Sequence, residues 1–144
     1  MVSPSETAWA LERGLDGYVQ AVAAALEVPI EATSFEISDT ATAYLGLAHR
    51  AAERPREDLM LVWSEQQGWS VMAETDPAEA PKMIAEFGSY DRVPEPRTVA
   101  RFARDVMSGH RPAPERSTFR GPAIREELAR QLTPYAAATG VTEN

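Results

Sequence analysis

The sequence predicts an α+β fold: an antiparallel four- to five-stranded meander sheet packed against an N-terminal and a C-terminal helix as a two-layer sandwich, with a C-terminal helical arm. Three observations carry this. The first thirty residues hold a helical apolar stripe, the middle alternates at strand period between tight turns, and a proline-led amphipathic segment follows. Strands apolar on one side need a helical layer to cover that side, and short connections between consecutive strands favour a meander.

At the N-terminus, Ser3, Pro4 and Glu6 fit a helix cap, a first-turn proline and the returning glutamate of a capping box. Leu11, Leu15, Tyr18, Val22 and Leu26 recur at three- and four-residue steps, so the helix runs to about Glu27. Gly14 and Gly17 each cost about 1 kcal/mol relative to alanine inside a helix. They mark either the close approach of another backbone or a break between a loose first part and a packed second part; one helix with a weak spot is expected, and Trp9 lies before the glycines.

Val28-Pro29 ends this helix. Residues 33–38, TSFEIS, alternate with Phe35 and Ile37 on one face, and after the Asp39-Thr40 turn residues 42–49, TAYLGLAH, alternate again. Residues 50–57 read as a solvent loop around Pro55. The stretch 58–75, DLMLVWSEQQGWSVMAET, reads as a hairpin carrying two of the three tryptophans. A loop of Gln66, Gln67 and Gly68 would set Trp63 opposite Val71 and Leu61 opposite Ala73. One face then gathers Leu59, Leu61, Trp63, Trp69, Val71 and Ala73, while Met60, Val62 and Met72 share the reverse with Ser64, Ser70 and Glu74.

Asp76-Pro77 closes the hairpin, residues 78–81 suit a helical turn, and residues 82–88 suit a fifth strand. Pro96 stands at the first position of a helix that reaches Ser108 and is closed by Gly109. Val99, Phe102, Ala103, Val106 and Met107 form its apolar face and Arg97, Arg101, Arg104 and Asp105 its outer one. The domain so defined spans residues 3–109. Residues 110–144 hold a proline- and arginine-rich linker and a short helix at 123–132 with Ile124, Leu128 and Leu132 on one stripe, interrupted by Pro134.

Composition narrows the function classes. The 144 residues are 44% hydrophobic and 25% charged, the balance of an ordinary globular domain, with no apolar run near the roughly 20 residues that span a bilayer. A cytoplasmic protein without a membrane segment is expected. The absence of cysteine excludes disulfides, thiol nucleophiles and thiolate zinc sites. A formal charge of −8 argues against nucleic acid as a partner, because a phosphate footprint must be basic. The acidity is uneven: residues 1–90 carry 5 basic and 15 acidic side chains, and residues 91–144 carry 9 and 7.

Three stretches resemble a known family: GLDGYVQAVAAALEVP, the DLMLVWSEQQGWSVMAET hairpin and RVPEPRTVARFARDVMSG, in that order. Together they resemble an actinobacterial family catalogued as a domain of unknown function, number 6292, over about Gly14 to Gly109. The resemblance implies a high-GC bacterial source and a single cytoplasmic domain, and it brings no catalytic residues with it.

No catalytic constellation emerges from the residues themselves. His49 and His110 are the only histidines, and one of them near Glu53 and Asp58 is not a metal pattern. No nucleophile elbow or phosphate loop is present, and Glu57-Asp58 and Glu126-Glu127 are adjacent pairs that diverge. No cofactor is expected. What remains are surfaces. The Met60, Val62 and Met72 patch, extended by Tyr44, suits a partner or a second copy, or else a cover from the C-terminal helix. Arg97, Arg101 and Arg104 suit an acidic partner or a solvated face. The expected function is a non-enzymatic protein-interaction or regulatory domain that self-associates, as a homodimer. The alternative is a small-molecule-binding or catalytic domain with a pocket between sheet and helices lined by Trp63, Tyr18 and Phe102.

Overall fold

The computed structural model describes residues 4–51, 54–74, 80–88, 91–109 and 124–140. A first helix, α1 (Pro4–Leu26), leads through a single 3-10 turn at Ile30–Ala32 into the strands β1 (Thr33–Ile37), β2 (Ala41–Ala51), β3 (Arg54–Ser64), β4 (Gly68–Glu74) and β5 (Lys82–Glu86). Two further helices follow, α2 (Pro96–Met107) and α3 (Arg125–Gly140). The strands form one antiparallel sheet in the order β1-β2-β3-β4-β5, the expected meander. The proposed Ser3 cap, the Asp76-Pro77 turn, His110 and the linker at 110–122 lie outside the described residues.

All three helices serve one side of the sheet. Leu15, Tyr18 and Val22 of α1, Val99, Phe102 and Val106 of α2, and Leu128 and Leu132 of α3 share one core cluster with Leu61, Trp63, Trp69 and Val71. The face assignment read from alternation therefore holds: Ala43 and Leu45 of β2 and Leu59, Leu61, Trp63, Trp69, Val71 and Ala73 of the hairpin are all buried.

The hairpin register differs from the expected one. Trp63 pairs with Trp69, Leu61 with Val71 and Leu59 with Ala73, and Ser64 faces Gly68. The loop is Glu65, Gln66 and Gln67, and Gly68 opens β4 at φ 79°, a left-handed conformation that favours glycine. The turn closes earlier because Glu65 is held by β2: its N–H donates to the Ala41 carbonyl at 3.0 Å. A shift of two in the pairing changes every partner and leaves every face unchanged, since the side-chain period is two.

Three other elements are longer than the local sequence suggests. Strands β2 and β3 continue through most of the segment read as a solvent loop at 50–57, with Pro55 second in β3, near a strand end where a missing N–H is tolerated. Helix α3 runs through Pro134 to Gly140. Pro134 is exposed, and the Thr133 hydroxyl donates to the Ala129 carbonyl one turn back.

What reads as a separate C-terminal arm is seated on α1. Leu128 and Leu132 are fully buried in the core cluster, and the Tyr135 and Tyr18 rings stand 4.9 Å apart. Gly14 is the point of contact. A Cβ built there would lie 2.6 Å from the Leu132 Cβ and 2.9 Å from the Leu132 carbonyl oxygen. Of the two readings of this glycine, close backbone approach is the one the fold uses. Alanine gains about 1 kcal/mol over glycine in a free helix, whereas overpacking a filled contact costs about 1–3 kcal/mol. Gly14→Ala is therefore expected to lower the denaturant-measured stability by about 1 kcal/mol or more, and a variant as stable as the parent contradicts this packing.

Candidate functional site

Two places bring together the residues singled out by the sequence. The first is interior. Both hairpin tryptophans bury an indole N–H, and each needs an acceptor. Trp63 Nε1 donates to the Arg92 carbonyl at 2.7 Å. Trp69 Nε1 donates to the Tyr18 hydroxyl at 3.1 Å, and that hydroxyl donates in turn to the Pro94 carbonyl. Arg92 Nε closes the arrangement by donating to the Glu65 carbonyl at 2.7 Å. The segment between β5 and α2 is thus tied to the hairpin and to α1, and Val93 and Pro94 are buried under them.

Tyr18, Trp63 and Phe102, the expected lining of a pocket, are all buried in the core cluster, with Phe102 against Phe87 at 5.1 Å between ring centroids. A cavity of about 380 Å³ opens elsewhere, between α1 and the sheet edge, lined by Ala8, Glu12, Phe35 and Ile37. Among the described residues no group of three histidine, aspartate or glutamate side chains is placed to hold a metal ion. The His49 side chain and all of His110 lie outside the described residues.

Sequence reasoning missed Glu65. Its side chain is fully buried at the end of the sheet, where Oε1 accepts from the Ala41 N–H at 2.8 Å and from Arg125 Nη2 at 3.3 Å. Arg125 also donates to the carbonyls of Ser38 and Asp39 at 2.6 and 3.0 Å, and Gln66 Nε2 donates to Thr40 Oγ1 at 3.0 Å. No local signal marks this contact, because Arg125 is followed by Glu126 and Glu127 in the first turn of α3 and its partner comes from another element.

The second place is the outer sheet face. Gly46, Met60, Met72 and Met83 lie side by side on β2 to β5, and Ser34, Tyr44, Val62, Ser70 and Glu86 form the next row. Tyr44 and Met83 are 41% and 49% exposed, Val62 and Met72 half-buried, and Met60 buried at 8%. None of Tyr44, Met60, Val62, Met72 and Met83 belongs to the core cluster under the helices. A Cβ at Gly46 would meet the Tyr44 hydroxyl at 3.4 Å, so the tyrosine covers the strand glycine. Met83 escaped the sequence reading because only strand pairing places it beside Met72. Acidic side chains border this face: Glu36, Asp58, Glu74 and Glu86.

The arginines are elsewhere. Helix α2 packs on the inner side of the sheet, so Arg97, Arg101 and Arg104 are exposed on the side of the molecule away from the methionines. Arg104 Nη2 donates to the Ala25 carbonyl of α1 at 2.6 Å.

Fold and site together define a small one-sided α+β domain with a hydrogen-bonded interior and an outer sheet face that carries a methionine-rich patch. The chain belongs to DUF6292, a family of unknown function whose model matches residues 18–105, more than half of its length. No curated protein and no solved structure matches it. No helix among the described residues is long and apolar enough to cross a membrane.

Burial pushes the Tyr18 hydroxyl far above the ordinary tyrosine range; the Trp69 hydrogen bond opposes this, and Tyr135 and Asp91 add to it. A group whose folded pKa is raised stabilises fully below its unfolded value, about 10 for tyrosine, and loses that contribution as pH rises beyond it. The protein should therefore lose stability above about pH 10. Tyr18→Phe leaves the Trp69 N–H and the Pro94 carbonyl unpaired and should cost about 1–3 kcal/mol at neutral pH. Its stability should also fall less steeply with alkaline pH, as followed by denaturant titrations read by circular dichroism. Equal alkaline slopes for the two proteins contradict the assignment.

Proposed function

We propose that this domain is a non-enzymatic, self-associating interaction module whose outer sheet face receives a protein partner. The observation that carries the reading is the apolar patch on that face, Met60, Met72 and Met83 in one row with Tyr44 and Val62 in the next, outside the core built under the helices. Methionine suits such a surface, because its unbranched, polarisable side chain adapts to the shape it meets. Acidic residues at the border favour a partner with an apolar centre and a basic rim, and oppose two copies meeting face to face. The interior residues support the same reading from the other side. Tyr18, Trp63 and Phe102 are packed and hydrogen-bonded among themselves and their neighbours, which is how aromatic side chains act as structure rather than as a ligand pocket.

Met72→Glu/Met83→Glu places charge on the outer rows at positions that are half-buried and exposed. A protein captured from the source organism, then purified, is expected to bind this variant at least about tenfold more weakly than the parent. Arg97→Glu/Arg101→Glu, on the far side, should bind as the parent does, with circular dichroism confirming both folds. Unchanged affinity in the methionine variant, or loss confined to the arginine variant, overturns the assignment of the face.

A further inference from the structure

The two edges of the sheet are not equivalent. Strand β5 carries a register irregularity opposite Val71 and Met72, so Ile84 is an extra residue there, and a bulge of this kind spoils an edge for further pairing. Strand β1 is regular over its five residues, Thr33 to Ile37, each paired in step with β2. Among the described residues no strand lies on its other side.

The direction of the β1 backbone groups follows from Ala41. Its N–H donates to Glu65 Oε1 and its carbonyl accepts from the Glu65 N–H, so both of its groups turn away from β1. Ala41 faces Ile37, and hydrogen-bonded and non-bonded pairs alternate along an antiparallel ladder. Ile37, Phe35 and Thr33 therefore turn their N–H and carbonyl groups to the open edge, while Ser34 and Glu36 bond to β2. The Thr33 N–H is already taken by the Ile30 carbonyl.

We propose that the occupant of this edge is a second copy of the chain, joined β1 to β1 across a two-fold axis through Phe35. Charge separates that register from the neighbouring one centred on Glu36. A pairing centred on Glu36 sets the two Glu36 carboxylates directly opposite at close spacing, which is repulsive. A pairing centred on Phe35 sets Glu36 opposite Ser34 of the second copy, a hydroxyl that donates to a carboxylate, and does so on both sides of the axis. The backbone bonds are two between the Phe35 pair and one from each Ile37 N–H to Thr33 of the other copy.

The inner side of the edge suits this too. The side chains of Phe35 and Ile37 are half-buried against the cavity of about 380 Å³ whose α1 wall is Ala8 and Glu12. In this pairing the phenyl ring of the second Phe35 stands beside the first at this cavity. The result is a ten-stranded sheet with all six helices on one face and both methionine surfaces on the other. This gives a geometry to the self-association in the proposed function, and it does not depend on what binds the outer face.

Ser34 is exposed and lies on the outer side of β1, so replacing it leaves the core intact. In sedimentation equilibrium the parent is expected to dimerise. Ser34→Glu should weaken the dimer by roughly tenfold, by placing a carboxylate against Glu36 twice, and Ser34→Lys should tighten it. The chain has no cysteine, so Ser34→Cys/Glu36→Cys should oxidise to a covalent dimer, whereas Glu36→Cys alone should not. A monomeric parent, a dimer indifferent to the charge at position 34, or ready crosslinking through Glu36→Cys alone overturns the proposal. Met72→Glu/Met83→Glu should dimerise as the parent does, so failure of the outer-face reading and failure of this one are told apart.

Discussion

Everything in this domain depends on satisfying two buried indole N–H groups. Trp63 and Trp69 stand opposite each other on neighbouring strands, and burying each ring is worth on the order of 4–6 kcal/mol as transferred area. That term drives the rings inward without choosing their orientation. The donors choose it, because a buried N–H left unpaired costs about 1–3 kcal/mol. The acceptors come from chain distant in sequence: the Arg92 carbonyl for Trp63, and the Tyr18 hydroxyl backed by the Pro94 carbonyl for Trp69. One short segment before α2 therefore ties the hairpin to both the first helix and the second. The three sequence stretches that carry the family likeness are the three parts joined by these bonds, so the likeness is architectural in content.

A second constraint acts at the end of the sheet. Glu65 is a carboxylate without solvent exposure, and it is retained because backbone and guanidinium donors surround it. It binds the hairpin loop to β2, and through Arg125 it fixes the start of α3 beside the Ser38 and Asp39 carbonyls. With the start of α3 set there and Leu132 against Gly14, the third helix lies on the inner layer. The outer sheet face owes its character to this arrangement. All three helices are committed to the tryptophan side, and the alternation of the strands places methionine, valine and tyrosine on the other.

Much of this was legible because strand parity and helical stripe survive errors of detail. The expected hairpin pairing was displaced, yet the residues it sent to the core are the buried ones, since a shift of two preserves faces. The stripe of α1 and the Pro96 start of α2 were local signals and appear in place. What stayed hidden was non-local. Glu65 looks like any turn glutamate until Ala41 and Arg125 are beside it, Met83 joins Met72 only through sheet pairing, and Pro134 looks like a stop although α3 continues past it on an exposed side. Gly14 reads locally as a weak spot in α1, because the residue that explains it, Leu132, lies more than a hundred residues away in sequence.

The most direct measurement is hydrogen exchange at the three indole N–H groups, followed by nuclear magnetic resonance. Trp9, 62% exposed on α1, provides the internal reference and should exchange freely. Trp63 and Trp69 should exchange only when the whole domain unfolds, with protection free energies equal to the global stability from denaturant unfolding. Fast exchange at either hairpin indole under native conditions would mean that the segment from Asp91 to Glu95 opens locally, and that the bonds placed here at the centre of the fold do not hold it together.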